Sequence, residues 1–318
     1  MHYDIFNGDA DGIFALHQYR LANPQQNAQL ITGVKRDIRL LSRLENLHNC
    51  RLTVFDISLD SNRSSLLQLL QQDNTVVYFD HHFAGQVAES ASLQTFIDPS
   101  PDTCTSLIVD AKLGGRYSSW AICGAFGDNL HALANQRAKR LGLTEEQTTQ
   151  LQELGELFNY NGYGSTIEDL HYHPSELYRA VSPHSNPFDF LDNSPEISTL
   201  RTGYSEDIEQ VMQLKEMSTP GKNRIYTLPD TSWARRVTGV FSNIRAREKT
   251  AAAHAVITEN KDKSLRISVR APLDDRRDAD TLCKLFPTGG GRAAAAGINS
   301  LPPDQFDQFV EKFLSIYH

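Results

Sequence analysis

The 318-residue chain has no run of about 18 apolar residues, the length a bilayer-spanning helix needs, so no membrane segment is expected. It opens on MHYDIFNGD, without a basic segment leading into an apolar one, so no secretory signal is expected either. Cysteine is scarce and scattered. Cys50, Cys104, Cys123 and Cys283 form no C-x-x-C pair, which argues against a disulfide framework or a zinc finger and fits a reducing cytoplasm. Positive charge is in deficit, with 31 Lys and Arg against 39 Asp and Glu and a net charge of −8. That balance argues against tight binding along a long duplex, which takes many Lys and Arg contacts. The deficit is uneven: from Thr231 onward 14 basic residues face 10 acidic ones, leaving 17 against 29 in the first 230. An acidic portion suited to cations and a basic portion suited to phosphates follow from that split. Internal repeats and low-complexity tracts are absent.

What is present reads as α/β. Over the first 80 residues YDIF, LITGV, RLTVFDI and TVVYFD look like strands. Between them, GIFALHQYRL, IRLLSRLENL and SSLLQLLQQ look like helices. That alternation implies βαβ units and a parallel sheet with helices on both faces. Residues 104 to 160 read as mostly helical, and 183 to 205 as a loop-like linker. Two further strands, AAHAVITE and SLRISVRA, and a helix, ADTLCKLF, suggest a smaller C-terminal α/β domain.

In open parallel sheets, ligands bind beyond the carboxyl ends of the strands. Asp9 and Asp11 follow the first strand in NGDADG, Asp56 ends TVFD, Asp80, His81 and His82 end VVYFDHH, and Asp128 follows GAFG. If the sheet is parallel these positions converge, and converging carboxylates repel one another unless cations neutralise them. Oxygen with imidazole nitrogen suits Mn²⁺ or Mg²⁺, with Fe²⁺ or Zn²⁺ as alternatives, over Ca²⁺. Five or six ligands favour two ions sharing a carboxylate, about 3.5–4 Å apart, which activate water for attack at phosphorus. NGDADG also fits the start of a calcium loop. The twelfth position is Gln18 rather than Glu, and a strand precedes the motif, so that reading is set aside.

In the basic portion, Gly289, Gly290 and Gly291 of TGGGRAAAAG would let backbone amides approach an anion at the start of an alanine helix. In LRISVR, Ile267 and Val269 alternate with Arg266, Ser268 and Arg270, which puts two guanidiniums and a hydroxyl on one strand face. Tyr160, Tyr163, Tyr172, His171 and His173 could stack bases, though core or hinge packing accounts better for most of them.

The order GDADG, FDIS, DHH, GAFGD, RISVR and GGGRAAAAG resembles the DHH phosphoesterase superfamily with its accessory DHHA1 domain, over essentially the whole chain. The resemblance implies a DHH domain over 1–185, a linker over 186–230 and a DHHA1 domain over 231–318, with a cleft between the two halves. It implies two metal ions, usually Mn²⁺. Asp9 and Asp56 would hold one, and Asp11, Asp56, His81 and Asp128 the other. His82 would face the substrate phosphate and Asp80 would orient His81. Arg270 and Arg292, with Ser268 and the glycines, would grip phosphate or base. Asn7 stands where the family often has a histidine ligand, and Arg292 where its Gly-Gly-Gly-His signature has histidine. The first change should weaken one ion. The second should preserve phosphate contact while altering preference. The expected enzyme is a cytoplasmic monomer or homodimer hydrolysing short 5′-phosphorylated oligoribonucleotides, pGpG to GMP above all. A cyclic-dinucleotide phosphodiesterase, a RecJ-like exonuclease and a non-catalytic nucleotide receptor are the alternatives.

Overall fold

Asn7 and Asp56 follow strands whose residues are buried to their last position, and that burial comes from the sheet they share. The computed structural model describes residues 1–217 and 220–318, and the chain divides into two units, Met1–Thr202 and Gly203–His318. In the first unit, β1 (His2–Phe6), α1 (Ala10–Ala22), β2 (Gln29–Ile31), β3 (Arg51–Phe55), α2 (Leu59–Gln71), β4 (Thr75–Asp80) and β5 (Leu93–Ile97) form an all-parallel sheet. Its order is β2-β1-β3-β4-β5. Leu52, Thr53, Val54 and Phe55 are all buried, as a strand covered on both faces requires. Phe55, Phe79 and Phe96 are register partners on β3, β4 and β5. Their rings stack at centroid distances of 5.4 and 4.6 Å. Because that ladder fixes register at the last turn of each strand, Asp56 and Asp80 emerge side by side.

Helices α3 (Thr105–Lys112), α4 (Ser118–Gly127), α5 (His131–Arg140), α6 (Glu145–Gly162), α7 (Pro174–Val181), α8 (Pro187–Asn193) and α9 (Pro195–Met212) follow; α9 runs through the division between the units. The α1 segment Ala10–Gln18 is buried all round and packs on α3, α4 and α6. The α4–α6 seam is close enough that a Cβ on Gly155 would lie 2.2 Å from the Cys123 carbonyl oxygen. All four cysteines are buried and free, as the sequence suggested. No helix among the described residues is long and apolar enough to cross a membrane.

His17 tests the acid limit of this core. Its Nε2 donates to the His184 carbonyl at 2.8 Å and its ring meets Trp120 edge-on. Burial pushes its pKa down from 6.5 to about 4, against the pull of that carbonyl. The unfolded chain therefore takes up a proton that the folded chain refuses until about pH 4. Stability from this residue is complete above pH 6.5 and falls as pH drops through that window, by roughly 3 kcal/mol in all. Urea unfolding from pH 7 to 4 should show His17→Gln, which keeps a donor and cannot titrate there, losing that much less than the parent.

The second unit contains β6 (Arg224–Leu228), α10 (Ser232–Glu248), β7 (His254–Glu259), β8 (Leu265–Arg270), α11 (Ala279–Cys283), β9 (Gly289–Arg292), β10 (Ala295–Leu301) and α12 (Phe306–Ile316). The mixed sheet runs β6-β7-β8-β10-β9, with only β6 and β7 parallel. Ile267 and Val269 point into a core with Ile225, Ile257, Leu282, Ile298 and Phe309, so the alternation read in LRISVR holds.

Three local expectations are corrected. IRLLSRLENL forms only a short 3-10 turn, Leu40–Leu44. The loop expected over 183–205 instead holds α8 and most of α9, each opening on a proline at its first turn; Asn186 caps α8 by accepting from Phe188 N. The alanines after GGGR do not start a helix. Ala293 and Ala294 form a turn and Ala295 and Ala296 open β10, paired antiparallel with β9, so the anion site at a helix N-terminus is not there. The glycines serve close approach: a Cβ on Gly289 would lie 1.7 Å from the Cys283 carbonyl oxygen, and one on Gly291 (φ 138°) 2.5 Å from Ala296 Cα.

Candidate metal centre

The carboxyl ends of β1, β3 and β4 deliver the acids to one edge of the sheet. Asn7 N donates to the Phe55 carbonyl and Asp56 N to the Phe79 carbonyl, which extends the ladder one residue past each strand. Asp56 then turns into the left-handed region at φ 59°, a conformation that Asp and Asn tolerate and bulkier residues do not. Asp9 caps α1 by accepting from Gly12 N at 3.0 Å. Asp11 lies two residues on and accepts from Thr105 N and Ser106 N, both at 2.7 Å, at the start of α3. Thr105 Oγ1 donates to Asp56 Oδ1 at 2.9 Å.

These groups converge. Asp56, His81 and His82 each present a ligand atom within 4.8 Å of the others. His81 Nε2 lies 3.5 Å from Asp56 Oδ1 and 3.7 Å from Asp128 Oδ2. Asp80 is fully buried and bonds the other imidazole: His82 Nδ1 donates to its Oδ1 at 2.7 Å, and Leu59 N to its Oδ2 at 3.3 Å. Asp80 therefore orients His82 and not His81 as anticipated, because His81 turns toward Asp56 and Asp128.

Burial, compounded by Asp11, Asp9, Asp128 and Asp80, pushes the Asp56 carboxyl well above the usual carboxylate range. Burial also lifts Asp128, to about 6, against the opposing pull of Lys35. Asp9 goes the other way: burial alone would raise it, but the Lys35 ammonium, 2.6 Å from its Oδ2, holds it below the ordinary value. Burial would lower His82, and Asp80 reverses that and raises it. Burial keeps the nearby Cys104 thiol protonated, leaving oxygen and imidazole as the donors.

This donor set fits a divalent cation. It supplies surplus negative charge, hard oxygens with one or two imidazoles, and one further acceptor: Asn7 Oδ1 is buried with no hydrogen-bond partner. Asp56, His81 and Asp128 would hold the ion, with Asp11 beside them. Lys35, which the sequence reading missed, arrives by the same route as the acids, in the turn directly beyond β2. Carboxylates and imidazoles mark a metal site in a sequence, and a lysine near a strand end does not. Tyr160 and His171 hydrogen-bond each other at 2.8 Å, and His173 caps α7, so both support the loop. Tyr163 stands 5.4 Å from the Lys35 ammonium by its ring centroid.

The residues expected to grip substrate lie in the second unit. Arg270 Nε donates to Asn243 Oδ1 at 2.8 Å and its Nη1 to Ser268 Oγ at 3.0 Å. Gly289 and Gly290 are half-buried on β9, and Gly291 and Arg292 are exposed there.

No family model and no curated relative matches the chain. Solved structures do. An exonuclease RecJ bound to manganese is 16% identical, with 99% of this chain covering 89% of that one at a TM-score of 0.54. A pGpG-specific phosphodiesterase, PggH from Vibrio cholerae, is 14% identical, with 100% of this chain covering 99% of that one at a TM-score of 0.60. This chain shares its fold with both. An exopolyphosphatase-related protein from Bacteroides fragilis shares it, at 14% identity and a TM-score of 0.51 over 99% of this chain and 92% of that one. The two-unit α/β fold that the resemblance implied is the fold these structures share with the chain.

Proposed function

We propose that the chain is a divalent-metal-dependent phosphodiesterase that hydrolyses very short 5′-phosphorylated linear oligoribonucleotides, with pGpG, cleaved to GMP, as the substrate. The observation that carries the reading is the convergence of Asp56, His81, His82 and Asp128 at the carboxyl edge of a parallel sheet. A fold shared end to end with a pGpG-specific phosphodiesterase supports the choice of substrate. Mn²⁺ suits the mixed oxygen and nitrogen set, with Mg²⁺ as the alternative. Bound there, the cation supplies a Lewis acid that lowers the pKa of water and polarises a phosphoryl oxygen. His82, held by Asp80 and biased toward its protonated form, hydrogen-bonds the scissile phosphate and donates a proton to the departing 3′ oxygen. Arg270, Ser268, Arg292 and the backbone of Gly289, Gly290 and Gly291 bind the substrate's terminal phosphate or base. The acidic first unit disfavours long polyanions and so favours short substrates.

Mn²⁺-loaded protein should be assayed on pGpG, on trinucleotides and longer single strands, on cyclic dinucleotides and on pyrophosphate. Hydrolysis should be fastest on the linear dinucleotide and fall steeply with length. Long strands cut as fast as pGpG, with steep salt dependence, would replace this reading with a RecJ-like exonuclease. Ring opening of a cyclic dinucleotide as the dominant reaction would replace it with a cyclic-dinucleotide phosphodiesterase. Nucleotide binding without turnover on any substrate would leave a receptor.

A further inference from the structure

The ammonium of Lys35 is built into the acid cluster. Its Nζ lies 2.6 Å from Asp9 Oδ2 and 4.0 Å from Asp128 Oδ1, and it donates to Asn159 Oδ1 at 2.8 Å. The backbone beneath it is fixed on both sides. Lys35 N donates to the Gly162 carbonyl at 2.9 Å, and the Lys35 carbonyl accepts from Asn7 Nδ2 at 3.2 Å. We propose that Lys35 stands in for one of the two cations, so that the centre takes a single divalent ion, on Asp11, Asp56, His81 and Asp128, beside a tethered ammonium on Asp9. The proposal rests on the cluster being a metal centre, and it assigns that centre's occupancy.

What sets Asp9 apart from Asp11 and Asp56, whose oxygens accept from neutral amide or hydroxyl donors, is the charged ammonium 2.6 Å from its Oδ2. An ion ligated by Oδ2 would share that oxygen with an ammonium, and an ammonium has three donors, no lone pair and the same sign of charge as the ion. Asn7 steadies the lysine from the other side, its amide nitrogen donating to the Lys35 carbonyl at 3.2 Å. The remaining groups keep the spacing of a ligand set. Neighbouring ligands of an octahedral ion at about 2.1 Å stand roughly 3.0 Å apart. His81 Nε2 lies 3.5 and 3.7 Å from Asp56 and Asp128, a small inward movement from that geometry.

Metal-free protein should be titrated with Mn²⁺, the bound ions counted after dialysis, and the electron paramagnetic resonance spectrum recorded. The wild type should bind one ion per chain, with the hyperfine pattern of an isolated Mn²⁺. Lys35→Met should bind two, a twofold rise, with the spectrum of a spin-coupled pair, whereas Lys35→Arg should stay at one. Two ions in the wild type, or one in Lys35→Met, would overturn the proposal. If Lys35→Met does not fold, Asp9→Asn decides: one ion must remain, because Asp9 holds the lysine and not the metal, and loss of that ion would overturn the assignment. A count of zero in every protein would defeat the metal centre itself, an outcome distinct from a wrong count.

Discussion

Asp56→Asn is expected to lose turnover on the order of 10³-fold or more while the metal-free protein becomes more stable. The two effects share one cause. Asp56 sits among Asp9, Asp11, Asp80 and Asp128 at 2% exposure, and burial and those neighbours oppose its ionisation. Its folded pKa lies above the unfolded one. The carboxyl therefore subtracts stability as pH rises from the ordinary carboxylate range toward the raised value, and at neutral pH that loss is in force. Asparagine removes the charge, keeps an oxygen for the Thr105 hydroxyl and accepts the left-handed backbone, where alanine would add strain. Thermal unfolding in chelator should show a higher melting temperature for the variant. Adding Mn²⁺ should raise the wild type's melting temperature and leave the variant's nearly unchanged. Near-normal hydrolysis by Asp56→Asn would remove this residue from the ligand set.

Arg20→Met should destabilise the chain by about 3–5 kcal/mol. Arg20 extends from α1 to Asp4 on β1, donating from Nε to Oδ2 at 2.9 Å, and also reaches Thr53 Oγ1 on β3 at 3.0 Å. The two side chains are 9% and 1% exposed. Removing the guanidinium strands a buried carboxylate on β1, between β2 and β3, and that stranding carries most of the loss. The double replacement Arg20→Met with Asp4→Leu should therefore recover most of the stability, as apolar substitution of both partners usually does. Urea midpoints of the parent, both single variants and the double variant complete the cycle. A single variant as stable as the parent would mean that water reaches Asp4.

The parts of this molecule that were legible in its sequence are those where one rule acts alone. Buried parallel strands must be apolar throughout, so RLTVF and TVVYF declare themselves. Ligands gather beyond strand ends, so Asp9, Asp56, Asp80 and His81 follow from the strands. Misreadings arose where two rules compete. SPHSNPFDFLDNSPEIS is rich in turn formers, yet its prolines and Asn186 are helix starters when an amphipathic segment follows. Ala293 to Ala296 have high helix propensity, but Ala293 and Ala294 turn the chain, and pairing of Ala295 and Ala296 with β8 on one side and β9 on the other outweighs that propensity. Strand β5 was missed because its residues are only half-buried or exposed, giving LQTFI a weak apolar signal. Which imidazole Asp80 would hold could not be read at all, since His81 and His82 are adjacent and only the backbone decides which one turns back.

The acids are held by protein groups. The first amides of α3 grip Asp11, a threonine hydroxyl grips Asp56, and the leading amide of α2 grips Asp80. Unlike a zinc finger, whose ligands come together only around the metal, this chain arrives at its geometry first. The centre should therefore empty and refill without refolding. Which element resides there would then be settled by the relative abundance of free cations around the protein and their intrinsic ranking for oxygen and imidazole.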